Sequence, residues 1–255
     1  MLKNQLLIAA LLVGTAVPTL AQEKMKPEDT EVWEPVPPVV NTPVSQAPSD
    51  AVVLFDGKDL SAWESQKNPG QPAEWTVGGG TFTVNKEKGN IWTKEKFGSY
   101  QLHLEYYIPI DIDGEGQGRG NSGLFLAAIG SGDEGYELQI LDSYENKTYV
   151  NGQLGSVYKQ KIPLANPARK PGEWQTYDVV WTAPEFKEDG SLGSPARVTV
   201  LINGVLVQNN VELEGGTQYI GKPSYKAHGP APIMLQSHGD PSKPISFRNI
   251  WVRPL

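Results

Sequence analysis

Apolar and polar residues alternate through much of the chain beyond residue 50. From Tyr100 to Ile108, Leu102, Leu104 and Tyr106 share one face and His103, Glu105 and Tyr107 the other. That period of two predicts a strand buried on one side. Gly135 to Ser143 repeats the pattern, with Tyr136, Leu138 and Ile140 opposed to Glu137 and Gln139. Shorter runs predict further strands at Val52–Phe55, Trp75–Val77, Thr81–Val84, Asn90–Thr93, Trp174–Trp181, Arg197–Ile202 and Ile245–Val252. Gly78-Gly79-Gly80 and Asn203-Gly204 fall between such runs and predict tight hairpins. No amphipathic helix and no internal repeat stand out. The pattern predicts an all-β fold, a two-sheet antiparallel sandwich.

The first 49 residues break this pattern. Lys3, an apolar run from Leu6 to Val17 and Thr19-Leu20-Ala21 have the layout of a cleavable signal peptide over residues 1–21. The apolar run is too short to span a bilayer. Residues 22–49 are a proline-rich N-terminal extension (Pro27, Pro35, Pro37, Pro38, Pro43 and Pro48), which disfavours both helix and sheet. Residues 50–255 are the domain proper. The expected location is periplasmic or secreted.

Composition narrows the function. The chain of 255 residues has no cysteine, so neither disulfides nor a lipid-bearing cysteine enter. A formal charge of −7 without a basic run argues against nucleic acid and against anionic membranes. The three histidines, His103, His228 and His238, form no metal-spaced pair. Asp111 to Gly116 starts like a calcium loop, but its twelfth position is Ser122 rather than a bidentate glutamate. The sequence shows neither a metal nor a required cofactor, and it does not set the oligomeric state.

The chemistry concentrates on three runs. Glu137 and Gln139 alternate on one strand, Gln236 and His238 have the same spacing in Pro232–Gly239, and Asn121 opens Gly120–Leu126. Laid side by side in one sheet, these runs bring a carboxylate, an imidazole and three carboxamides onto one face. Glu137 is then the general-base candidate, because partial burial raises a carboxyl pKa toward a useful value. A solvated strand carboxylate gives the same pattern. His238 is the partner candidate, as acid, base or electrophile, against a histidine that merely caps the turn at Gly239-Asp240. Arg248 is the third catalytic candidate, holding an oxyanion or anchoring Glu137, against a structural ion pair. Asp142 follows the strand as a binding candidate or a loop anchor, and Glu105 is a possible second carboxyl. Tyr158 and Trp92 are aromatic candidates for a sugar face, against ordinary core packing.

Several of these runs occur together in one known family. Leu54-Phe55-Asp56-Gly57-Lys58-Asp59-Leu60-Ser61-Ala62-Trp63 resembles the opening of the 3-keto-disaccharide hydrolase family. Asn121–Phe125, Tyr136–Asp142, Gly172-Glu173-Trp174, Asn203-Gly204-Val205, Leu235–Gly239 and Phe247–Ile250 resemble its other signatures, in its order. Gln175 stands where the family often has asparagine. The resemblance implies a concanavalin A-like jelly roll and a carbohydrate substrate with a ketone at C3. Ordinary glycosidases place two carboxyls about one bond. A 3-keto group instead acidifies the C2 proton, so that one base suffices and the aglycone leaves C1 by elimination before water adds back. The alternative is a lectin-like binding module, since the same fold serves both.

Overall fold

The computed structural model describes residues 24–255, so the signal-peptide reading of residues 1–21 lies outside the described residues. The chain divides at Val39. Residues 24–39 carry a single 3-10 turn, Pro27–Thr30, and are exposed throughout, with Trp33 79% exposed.

From Val40 onward the chain is an all-β jelly roll. Its strands are β1 (Val52–Phe55), β2 (Trp63–Ser65), β3 (Thr76–Gly78), β4 (Thr81–Thr83), β5 (Ile91–Thr93), β6 (Tyr100–Tyr107), β7 (Ser122–Ala128) and β8 (Gly135–Ile140). They continue as β9 (Trp174–Thr182), β10 (Glu185–Phe186), β11 (Leu192–Ser194), β12 (Arg197–Ile202), β13 (Val205–Glu212), β14 (Met234–Leu235) and β15 (Ser246–Pro254). The larger sheet has the order β13-β12-β9-β6-β15-β4-β3, with β1 on β15, and the smaller has β2-β5-β14-β7-β8. All named pairings are antiparallel. This confirms the sandwich predicted from alternation. Strands β2, β10 and β11 are too short for their pattern to have announced them.

The core lies between the sheets. Leu102, Leu104 and Tyr106 from β6 and Val179 and Trp181 from β9 meet Leu124, Leu126, Tyr136, Leu138 and Ile140 from β7 and β8. Two polar tips within this layer find backbone partners: the Tyr177 hydroxyl donates to Gln139 O at 2.5 Å, and Tyr100 donates to Leu126 O at 2.6 Å, whereas the Tyr106 hydroxyl and Trp181 Nε1 have none among the described residues. The two bonds satisfy buried groups and also tie one sheet to the other.

β6 has one buried face and one partly exposed face, but β7 and β8 are buried on both. A half-solvated sheet would not be. Residues 154–158 run along the free edge of β8: Tyr158 N donates to Glu137 O, Gln139 N to Ser156 O and Gly155 N to Gln139 O. The same loop protects an otherwise open edge and walls in the outer face. That outer face is where the polar residues of β8 sit.

Candidate active site

Antiparallel register sets the geometry of this outer face. One cross-strand row runs Glu64–Trp92–Met234–Phe125–Glu137 over all five strands. Two residues along, Gln139 lies opposite Gly123, and Gln236 N bonds to Gly123 O. Asn121 and His238 lie one further step along, where Asn121 Nδ2 comes within 3.4 Å of His238 Nε2. Directly opposed residues point to the same side, so the three sequence runs meet in one cleft of about 760 Å³. Glu137, Gln139, Asn121, Gln236, His238 and Tyr158 all line it.

Glu137 is 5% exposed. Burial, with a smaller repulsion from Asp133 on the β7–β8 loop, pushes its carboxyl pKa up to about 8. Its own N–H is held by Thr217 Oγ1 at 3.0 Å. Among the described residues no group donates a hydrogen bond to the carboxyl. A carboxyl set this way is poised to exchange a proton near neutrality. The Gln236 side chain behaves similarly: it is 7% exposed and its buried Oε1 has no partner among the described residues. An unpaired buried acceptor costs free energy unless something else satisfies it.

His238 is held from behind. Its Nδ1 lies 3.0 Å from Asp240 Oδ2, leaving Nε2 toward Asn121 and the cleft. Burial disfavours the ionised Asp240, yet hydrogen bonds from His238 and Ser242 and the charge of Lys86 hold its carboxyl below the usual value. The carboxamides form a chain: Gln139 Nε2 donates to Asn121 Oδ1 at 2.7 Å, and Asn121 Nδ2 donates to Gln117 O at 2.9 Å. The wall opposite is aromatic. The Tyr149 and Tyr158 hydroxyls share a hydrogen bond of 2.6 Å, and Lys159 Nζ sits 4.2 Å from the Tyr219 ring centre. Burial pushes both the Tyr149 and the Tyr158 hydroxyl up, away from ionisation.

Four sequence candidates lie elsewhere. Arg248 and Glu105 pair at 2.7 Å on β15 and β6 of the larger sheet, where Arg248 also stacks on Trp174 at 4.0 Å. They line a separate cavity of about 620 Å³ with Asn249 and Trp251. A bulge in β15 between Arg248 and Trp251, with Asn249 at φ 46°, turns these side chains outward together. Arg248 therefore neither anchors Glu137 nor faces its cleft, and Glu105 is not a second carboxyl beside Glu137. Asp142 is 2% exposed and paired with Arg119 at 2.7 Å, which makes it a loop anchor. Trp92 shares the row of Glu137 but lines another groove three strands away.

The structure also adds residues that the sequence did not single out. Asp240 had a weak signal, the His238-Gly239-Asp240 spacing. Asp133, Tyr149, Thr217 and Tyr219 sit on loops and Gln117 in the short 3-10 turn Gly116–Gly118, where no periodicity marks them. Among the described residues no three His, Asp or Glu side chains group so as to hold a metal. Asp111, first in the calcium-like run, is instead paired with Lys243. No helix among the described residues is long and apolar enough to cross a membrane.

Comparison with known proteins places this architecture. No match is found among curated proteins. A solved structure from Parabacteroides distasonis, provisionally named a glycosyl hydrolase, is 57% identical, with 90% of this chain and 97% of that chain covered and a TM-score of 0.84. Two others from the same organism, similarly named, share the fold at 20% and 23% identity with TM-scores of 0.57 and 0.56. Each covers 80% of this chain, and 94% and 99% of its own. Residues 50–253 match the model of the 3-keto-alpha-glucoside-1,2-lyase-like domain. The chain belongs to that family.

Proposed function

We propose that this protein cleaves glycosides that carry a ketone at C3, with Glu137 as the base. The observation that carries the reading is the state of Glu137. It is a buried carboxyl with its pKa at about 8, facing a polar cleft, and the other buried carboxyl among the described lining residues, Asp240, is already engaged by His238, Ser242 and Lys86. Asp133, the third acid of the cleft, is exposed on a loop. That arrangement suits removal of one activated C–H proton better than the paired carboxyls of direct glycoside hydrolysis. Membership of the family and the 57% identical glycosyl-hydrolase relative support a carbohydrate substrate.

In this scheme Glu137 takes the C2 proton and an enolate forms across C2 and C3. The Gln236 carboxamide donates through Nε2 to the enolate oxygen, while its unpaired Oε1 accepts from a sugar hydroxyl. The C1–O bond breaks, and the leaving oxygen takes a proton from His238, which Asp240 aligns. The products at that stage are the free aglycone and a sugar enone. Water then adds to C1, C2 regains a proton from Glu137, and His238 recovers the proton that the water releases. The net change is hydrolysis, without a redox step. Tyr149, Tyr158 and Tyr219 offer faces to the CH groups of a pyranose.

The test is a panel of 3-keto-glycosides beside their unoxidised parents, incubated with the purified protein. Cleavage of the keto series alone is the expected result. Tight binding of unoxidised glycans with no cleavage of either series would overturn the proposal in favour of a lectin-like role.

A further inference from the structure

The second groove on the same face carries a further assignment. It has a volume of about 740 Å³ and lies over Trp92, with Lys67, Lys94, Lys96, Ala128, Gly130 and Pro232 among its lining residues. Trp92 is half-buried: it packs on Phe125, Ala128 and Met234 while lining the groove. Its Nε1 donates to Glu64 Oε1 at 2.8 Å, which fixes the ring. A fixed, half-covered indole is a platform for the apolar face of a sugar ring. Among the lining residues three lysines stand against one carboxylate, and that carboxylate is already bonded to the indole. The groove is thus locally basic on a chain of net charge −7.

The two depressions belong to one surface. Trp92 and Glu137 occupy the same cross-strand row, separated by Met234 and Phe125. Three strand spacings put them about 14 Å apart. The β7–β8 loop forms the shared wall: Gly130 and Ser131 line the groove, and Asp133 lines the cleft. The loop is pinned at two adjacent points, by Gln66 Nε2 on Gly132 O at 3.1 Å and by Asn90 Nδ2 on Asp133 Oδ1 at 2.9 Å.

Resting on the reading of the Glu137 cleft given above, we infer that the Trp92 groove is a distal subsite for an acidic sugar unit of a longer substrate. The keto sugar sits at Glu137, the chain crosses the loop at Asp133, and a carboxylated or sulfated unit lies on Trp92 with its anion among the lysines. The span requires an oligosaccharide longer than a disaccharide.

The experiment compares kcat/KM for three substrates: a 3-keto-disaccharide, a neutral 3-keto-tetrasaccharide and the same tetrasaccharide ending in a uronate. Wild type, Trp92→Ala and the surface double variant Lys94→Ala/Lys96→Ala are compared at low salt. The expected result is a preference of wild type for the acidic tetrasaccharide of about tenfold or more over the disaccharide. That ratio should collapse in both variants, and the lysine variant should lose it through the acidic substrate alone. Equal values for the three substrates in wild type, or for the neutral and acidic tetrasaccharides, would overturn the subsite while leaving the Glu137 chemistry standing. If no keto substrate is cleaved, the chemistry fails, and calorimetric titration with the unoxidised acidic tetrasaccharide decides the subsite. Binding weakened in both variants supports it, and absence of binding overturns it.

Discussion

The Glu137 carboxyl lies over the backbone of Gly123, on the neighbouring strand. A methyl group placed on that glycine would meet Glu137 Oε1 at 2.7 Å and Phe125 Cε2 at 2.8 Å. Gly123 has an ordinary strand conformation, so what it supplies is space rather than a rare φ. The carboxyl and the glycine beneath it form one unit, with Phe125 packed beside them.

Gly123→Ala should therefore cost activity more than its single methyl suggests. The carboxyl must swing off the glycine, which shifts the group without removing it. Overpacking of this kind costs roughly 1–3 kcal/mol of stability. The expected outcome is a folded variant with kcat down by at least about tenfold, measured on a 3-keto-glycoside beside a melting curve. Unchanged kcat would mean that the carboxyl position is not critical.

Glu137→Gln keeps shape and hydrogen-bonding capacity but removes the base. Loss of a general base should lower kcat about 10²- to 10⁴-fold. The variant should also stop exchanging the C2 hydrogen of bound substrate with deuterated water, read by NMR. Exchange at the wild-type rate would place the base elsewhere, with His238 the next group to test.

The same carboxyl should set the pH profile. Since the proposed base form is the ionised one and burial puts its pKa at about 8, the acidic limb of kcat/KM should rise with pH as this carboxyl ionises. Asp133 contributes to the shift through its charge. Asp133→Asn should move the acidic limb to lower pH, and an unmoved limb would assign the titration to another group.

Stability should carry the opposite sign. The folded-state pKa of Glu137 is raised, so its protonated form is stable in the fold and its contribution is lost as pH rises from the unfolded value through about 8. Glu137→Gln should melt close to wild type near pH 5 and well above it near pH 9, by roughly 2–4 kcal/mol. A constant gap across that range would mean that the carboxyl is not strongly perturbed.

Arg248 offers a contrast. It pairs with Glu105 and stacks on Trp174 on the other sheet. Arg248→Ala should lower stability by roughly 1–2 kcal/mol and leave kcat within about twofold of wild type. A large fall in kcat with little change in melting temperature would restore the catalytic role suggested by sequence.

The limits of legibility follow from the strand itself. The side-chain period of two told Glu137 and Gln139 apart from Tyr136, Leu138 and Ile140, and it separated His103 and Glu105 from Leu102 and Leu104. The hairpins at Gly78–Gly80 and Asn203-Gly204 were legible for the same local reason: turn chemistry is written in a few adjacent residues. Motif spacing pointed to the family through Asn121, Glu137, Gln236 and His238 together. Parity, however, says only whether a side chain points toward the core or away from it. A sandwich has two outward faces, so Arg248 and Glu137 look alike in sequence and lie on opposite sheets. Nor does parity give distance across a sheet: Trp92 shares the row of Glu137 but stands three strands away. The register of β14 between β5 and β7, the fold of the 154–158 loop over β8 and the arrival of Asp240 behind His238 come from pairings between distant segments. Those pairings decide which outward residues are buried, and burial is what turns Glu137 from a solvated strand carboxylate into the raised-pKa carboxyl proposed above as the base.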